Sequence, residues 1–369
     1  MTTLESKGRL AYLFGIAGLF ATNLVFAGPG QAQSTFNHPG NILITDQFNN
    51  RVIEIDKAGY IVWQFGGGKD NVTASAIVGT NDAERVGDLT LMAGTGIPSG
   101  VGQAAATCFK SGCADNRVLL VDFAGHIVWQ YGTFGVTGSE FNQLNTPVQN
   151  TYLSQSDGDD HVLITDQANA RVIEVRRSDK QIVWKYDEGL NNPNAAELLI
   201  NGDILISDEN NNRAIEVTHT TPSRIVATFS GAGGKAFSGV AFASRLPNGH
   251  TLITDSNNSR IVETEACADG LDCKVFWQFN TSARAGSNPS GPLPTRAVRL
   301  ANGNTLISDQ FNDQVIEVDQ SLPAMRSGVI VASYGTINTP GFHFHYATVL
   351  NAPYSAYAIG DYTGMTPPF

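Results

Sequence analysis

One pattern, an apolar run ending in Asp, an Asx-rich turn and a second apolar run, returns along the 369-residue chain and leaves few folds open to it. Residues 41–66 read NILITDQFNNRVIEIDKAGYIVWQFG and residues 161–186 read HVLITDQANARVIEVRRSDKQIVWKY. DILISDENNNRAIEV follows from residue 203, HTLITDSNNSRIVET from 250 and NTLISDQFNDQVIEV from 304. A degenerate copy at 115–132 reads DNRVLLVDFAGHIVWQYG. Asp46, Asp166, Asp208, Asp255 and Asp309 mark the register. From Asp166 onward they recur every 40 to 55 residues or so, the period of a propeller blade made of several short strands.

Each unit parses into four strands. In the third, Thr151 to Gln155 is expected as the innermost strand A, His161 to Thr165 as B, Arg171 to Val175 as C and Gln181 to Tyr186 as D. Strands B and C are mostly apolar, as expected where neighbouring blades cover both faces. Trp63, Trp129, Trp184 and Trp277 fall in the strand D slot, with Ala227 and Ala332 in the other two units. A large flat ring once per blade reads as an inter-blade wedge. Six D-type strands predict an all-β, six-bladed propeller with four-stranded antiparallel blades. Blade 1 starts at its strand B, so its innermost strand must come from elsewhere. The stretch Phe342 to Leu350, FHFHYATVL, is expected to close the ring as that C-terminal strand, and closure removes exposed sheet edges.

Composition agrees. Gly is frequent, at 38 residues, and only 15% of residues are charged, as suits a turn-rich all-β chain. The formal net charge of -11 and the lack of basic runs argue against a nucleic-acid partner.

The first 32 residues read as a signal peptide. Lys7 and Arg9 precede an apolar stretch from Leu10 to Ala27, and cleavage is expected near Ala27 or Ala32. The stretch is also long enough to be an uncleaved anchor. A single propeller domain is expected over residues 36–369, exported to the periplasm or beyond, monomeric and with no membrane span in the mature chain. Four cysteines form two close pairs, Cys108 with Cys113 and Cys267 with Cys273, without zinc-type spacing or a nearby His. Two local disulfides in an oxidising compartment are the preferred reading, and free thiols the alternative.

The strongest local motif is D-x-x-N-x-R between strands B and C: Asp46, Asn49 and Arg51 first, then the sets ending in Arg171, Arg213 and Arg260, with Gln314 in the last unit. Asx side chains close tight turns, and Arg bridges a carboxylate through parallel bonds. A motif in every blade reads as scaffold. Glu54, Glu174, Glu216, Glu263 and Glu317 on strand C are expected to pair with those arginines.

The pattern G-N-x-L-I-x-D-x-x-N-x-R-V-x-E-V resembles NHL-type propellers, and the ending D-x-x-G-x-I-V-W, as in Asp56 to Trp63, resembles arylsulfotransferase-like and quinoprotein-like repeats. The resemblance spans roughly residues 40 to 350 and implies the propeller fold. It also implies, for the arylsulfotransferase-like branch, a channel histidine that is transiently sulfated, although no family active-site motif maps residue by residue.

Two features stand outside the repeat. His343 and His345 alternate, so on the innermost strand both would face the channel, where they are candidate catalytic or metal-binding residues. The stretch from Ala93 to Asp115 replaces a turn of a few residues in blade 2. It carries Gly96, Gly100, Phe109 and the Cys108–Cys113 pair, and is expected as a lid over the channel mouth with a Gly-rich hinge. The functional expectation is a scaffold that binds a small ligand or protein through its channel face. The alternative is a periplasmic arylsulfotransferase-like transferase or hydrolase using the channel histidines. A cluster of His, Arg and Tyr at one channel mouth would favour the enzyme, and an apolar or smoothly polar mouth without such a cluster the binding protein. The sequence names no cofactor or metal.

Overall fold

The computed structural model of the chain describes residues 35–68, 70–265, 273–321 and 328–367. These form six four-stranded antiparallel sheets and one very short hairpin. Blade 2 runs Thr80–Val86, Leu89–Gly94, Arg117–Val121 and Ile127–Gly132. Blade 3 runs Pro147–Leu153, His161–Asp166, Arg171–Arg176 and Ile182–Tyr186, so its innermost strand starts four residues before the expected Thr151. Blade 4 runs Pro193–Leu198, Ile204–Asp208, Arg213–Val217 and Ile225–Phe229. Blade 5 runs Val240–Arg245, Thr251–Asp255, Arg260–Thr264 and Val275–Asn280, and blade 6 Pro294–Arg299, Thr305–Asp309, Gln314–Asp319 and Val329–Tyr334.

Blade 1 pairs Ile42–Asp46, Arg51–Ile55 and Ile61–Phe65 with Pro353–Ala358, which closes the ring from the C-terminal side. The closing strand is therefore PYSAYA and not residues 342–350. Those residues belong to the long D–A connection between blades 6 and 1. The physical reason lies at the strand start. Pro147, Pro193, Pro294 and Pro353 each open an innermost strand opposite the Asp that ends strand B, just before a register shift. Proline fits there because a first residue need not donate to the ladder.

The tryptophans sit between blades as expected. Trp63 packs with Ile77, Met92 and Leu119 of the next blade, and its Nε1 donates to the Phe123 carbonyl at 2.9 Å. Trp129 and Trp184 donate likewise to the Arg177 and Thr220 carbonyls.

The repeated motif is a buried clamp. In blade 1, Asp46 Oδ2 accepts from Arg51 Nε and Asn49 Nδ2, both at 2.8 Å, while Oδ1 accepts the Asn351 amide at 2.7 Å. Arg51 Nη1 then donates to the His343 carbonyl at 2.9 Å. Asp166, Asp208 and Asp255 repeat the arrangement with Arg171, Arg213 and Arg260. Each clamp thus fixes the loop entering the innermost strand of its own blade. The left-handed residue of the turn ties the next blade: Asn50 Oδ1 accepts from Gly79 N and Asn212 Oδ1 from Gly239 N. The expected pairing of the strand C glutamates with these arginines is corrected. Glu54, Glu216 and Glu263 instead bind Arg85, Arg245 and Arg299, which lie in the last two positions of the innermost strand of the following blade. Glu174 lies between His161 and His219, each at 2.5 Å, and Glu317 accepts from Asn302 and Asn304. The motif arginine is turned instead toward its Asp and toward carbonyls of the entering loop.

Cys108 and Cys113 form a disulfide. The other expected bridge involves Cys267, which lies outside the described residues, as does the expected leader. Among the described residues no helix is long and apolar enough to cross a membrane.

Candidate functional site

The six innermost strands surround an axial channel that is mostly filled. Asn81, Val148, Asn194, Ala241, Thr295 and Tyr354, one from each strand, line a space of only about 10 Å³. Below them Arg296 bonds Asp82, lies 3.7 Å from Glu197 Oε1 and stacks at 4.4 Å on Phe242. Glu84 is also fully buried here, and its Oε1 accepts the Tyr152 amide. Burial raises the pKa of Asp82, Glu84 and Glu197, and for Glu84 the neighbouring Asp82 carboxylate adds to the effect. The far end is covered by the residues after the closing strand: Thr366 donates its amide to Glu197 Oε2 at 2.9 Å and its hydroxyl to the Leu198 carbonyl.

The opposite end, where the B–C turns and D–A loops converge, holds a cavity of about 500 Å³. One wall comes from the long blade 2 connection, through Thr95 to Ser99 and Ser111 to Ala114. The floor comes from Gln47, Asn81, Gln167, Glu209 and Tyr354, and Asn145, Thr146 and Asn192 of the D–A loops complete it. Gln47, Thr95, Gln167, Glu209, Ser256 and Gln310 all occupy one repeat position, directly after strand B. Gln310 Nε2 donates to Gln47 Oε1 at 2.8 Å, and Gln47 Nε2 to Asn81 Oδ1 at 2.7 Å, so amides form a chain across the mouth. Glu209 Oε2 accepts from Asn194 at 2.8 Å, Asn192 at 3.3 Å and Gln167 at 3.5 Å. Burial pushes its carboxyl pKa up, against those hydrogen bonds. Tyr354 Oη exchanges hydrogen bonds with Asn194, and burial raises its pKa too. No Lys, Arg or His is among the residues lining this cavity.

The blade 2 connection forms a roof over this cavity and is tied to its surroundings along its length. Ile97 and Cys113 exchange both backbone hydrogen bonds at 2.8 Å, a short helix spans Ala106–Ser111, and the disulfide joins that helix to the returning segment at Cys113. Ile97, Ala104, Ala105 and Cys108 pack on Phe48, Val78 and Ala352. Gly96 lines the cavity with φ at +94°, and an added Cβ would sit 2.7 Å from the Cys113 carbonyl oxygen. Gly100 and Phe109 hydrogen-bond to each other outside the cavity wall, and Phe109 is exposed.

The roof is possible because blade 2 relocates its clamp. Gly94 stands where other blades have the motif Asp, opposite Arg117 as Asp46 is opposite Arg51. Asp115 supplies the carboxylate instead, binding Arg117 Nε at 2.5 Å and the Val78 amide at 2.8 Å. A Cβ on Gly94 would fall 2.5 Å from that carboxylate, so the glycine vacates the space it fills.

The expected channel position of His343 and His345 is corrected. His345 is exposed and His343 half-buried, in a loop held by Arg51 and by the Ile61 amide, which donates to the His345 carbonyl. His343 Nδ1 accepts from the amides of His345 and Tyr346. Among the described residues no group of three or more His, Cys, Asp or Glu side chains could hold a metal ion. The residues that sequence reasoning passed over, Gln47, Gln167 and Glu209, did leave a signal. They occupy the variable position after the motif Asp, which stays polar in every copy.

No protein-family model matches the chain, and no curated protein matches it by sequence. Solved structures share its fold. A protein of unknown function from Bacteroides caccae superposes with a TM-score of 0.53 at 12% identity, covering 86% of this chain and 98% of that one. A putative 6-phosphogluconolactonase from Bacteroides uniformis gives 0.50 at 9% identity, with 86% and 98% covered. Virginiamycin B lyase from Staphylococcus aureus gives 0.45 at 12%, with 82% and 85% covered. At these identities the chain shares with the two Bacteroides proteins a fold and nothing more.

Proposed function

We propose that the chain is an exported propeller that binds a small polar molecule, other than an anion, in the mouth cavity beneath the blade 2 roof. The observation that carries this reading is the lining itself. About 500 Å³ suits a small ligand, and the walls present amides, hydroxyls, one phenol and one carboxylate but no cationic side chain. A sulfate ester or phosphate would meet Glu209 with nothing to balance its charge, which speaks against the arylsulfotransferase-like alternative suggested by the repeat pattern. A smoothly polar mouth was the feature expected of a binding protein. The Cys108–Cys113 disulfide fits an oxidising compartment. The test is a thermal-shift screen of small polar compounds against the wild type and Ser111→Trp, which fills the cavity from its exposed wall. Hits should lose their stabilising effect in the variant while its own Tm stays near the wild-type value. Hits that stabilise both proteins equally would overturn the assignment of the cavity.

A further inference from the structure

We infer that the ligand of the mouth cavity carries a protonated amine, and that Glu209 is its counter-ion. The inference rests on the cavity reading above and adds a chemical class to it. Glu209 is the only carboxyl group lining the cavity, and no Lys, Arg or His lies in the lining beside it. Its position in the repeat does not call for a carboxylate. Gln47, Gln167 and Gln310 fill the same place with amides, Ser256 and Thr95 with hydroxyls, and the amide chain from Gln310 through Gln47 to Asn81 shows how well neutral groups satisfy the site. A half-buried carboxylate in place of an amide is an electrostatic cost unless a cation comes to it.

The hydrogen bonding of Glu209 is lopsided. Asn194, Asn192 and Gln167 all donate to Oε2, which fixes the carboxylate plane, while Oε1 takes no hydrogen bond from the described residues. One oxygen is anchored and the other remains as an acceptor at the cavity. An ammonium is the complementary donor, since a charge-assisted bond is roughly twice as strong as a neutral one. Tyr354 stands beside Asn194 in the same lining, so its ring and hydroxyl can receive the apolar or polar remainder of the molecule.

The surroundings favour the same sign. Below the mouth, Asp82, Glu84 and Glu197 converge on the single guanidinium of Arg296. Any carboxylate ionised beyond the one that Arg296 balances adds negative potential at the opening, and burial, by raising these pKa values, keeps that contribution small. The net charge of -11 adds to that field at long range.

The experiment is calorimetric titration at low salt with matched pairs: tyramine, phenethylamine, agmatine and putrescine, each against its N-acetyl counterpart. Acetylation removes one positive charge and leaves the rest of the molecule in place. At least one amine is expected to bind, with its acetylated partner weaker by roughly tenfold or more, a difference of about 1.4 kcal/mol. Glu209→Gln should weaken that amine by a similar factor and leave its Tm near the wild-type value. Silence from all four amines, or amines and acetamides binding alike, overturns the amine inference. The cavity reading fails separately, if Ser111→Trp leaves every observed binding event unchanged.

Discussion

Blades 2 and 6 both depart from the repeat at the turn between strands B and C, and they depart in opposite ways. Blade 2 loses the carboxylate from the end of strand B and recovers it from Asp115, just before strand C. Blade 6 keeps Asp309 but has Gln314 where other blades have Arg, and recovers the guanidinium from Arg284 in the entering D–A loop. Arg284 Nη1 reaches Asp309 Oδ2 at 2.7 Å, and Nη2 bonds Gln314. What persists around the ring is a buried ion pair joining the B–C turn to the entering loop. The chain position that supplies each partner is free to move. Blade 2 uses that freedom to insert a roof over the mouth cavity, while the blade 6 turn stays short.

The largest effect should come from breaking the relocated pair in blade 2. Asp115→Ala strands a buried Arg117 and should cost about 3–5 kcal/mol in chemical denaturation. Gly94→Asp in that background returns a carboxylate to the place Asp46 occupies in blade 1, and should recover part of the loss. Gly94→Asp alone should destabilise, because two carboxylates would compete for one space. If the double variant is no more stable than Asp115→Ala, the equivalence of Gly94 and Asp46 is wrong.

A smaller effect is expected in blade 6, where the pair is less deeply buried. Arg284→Ala should destabilise by about 1–3 kcal/mol, because Asp309 then lacks its guanidinium. The carboxyl pKa of Asp309 already lies at about 6, raised by burial against the hydrogen bond from Asn312 and the Arg284 charge. Adding Gln314→Arg rebuilds the blade 1 arrangement and should restore stability. Failure of that rescue, measured by the urea midpoint, would show that the loop arginine does more than replace the strand arginine.

The smallest effect should be a gain. Asp313 takes the left-handed turn position that Asn50, Asn116 and Asn212 hold elsewhere, with its Oδ1 accepting the Ala352 amide and its Oδ2 unpartnered. Burial, with Asp46 and Asp309 nearby, raises its pKa to about 6. The folded protein therefore holds this proton more tightly than the unfolded chain. The penalty is absent below about pH 4, grows as pH rises through about 6, and is complete at neutral pH. Asp313→Asn should stabilise by about 1–2 kcal/mol at pH 7.5 once solvent screening is allowed for, and by nothing at pH 4. A pH-independent difference would point to packing in place of charge.

Blades were legible in the sequence because their B and C strands are apolar runs punctuated by the Asp turn. The closing strand was harder. FHFHYATVL has the aromatic and β-branched content of a strand, yet Phe344 is 67% exposed, because the loop is held by Arg51 and by backbone bonds and not by burial of its rings. PYSAYA is less apolar on its face but carries the opening proline shared with blades 3, 4 and 6. The roof was legible as an insertion, and its disulfide from spacing. Its packing on Phe48 and Ala352 was not, since those residues are distant in sequence. Glu209 was hidden inside a scaffold motif whose repetition drew attention away from the position after the Asp.

The claim at the centre of this account is that the roofed mouth cavity is where the chain binds its ligand. Crystallographic fragment soaking with a mixed set of amines, amides, sugars and carboxylic acids tests it most directly. Fragments should collect between Glu209, Gln47, Tyr354 and the roof, with amines placing nitrogen within hydrogen-bond distance of Glu209 Oε1. A cavity left empty while fragments gather elsewhere, such as around Tyr60, Phe344 and Tyr346, would contradict it.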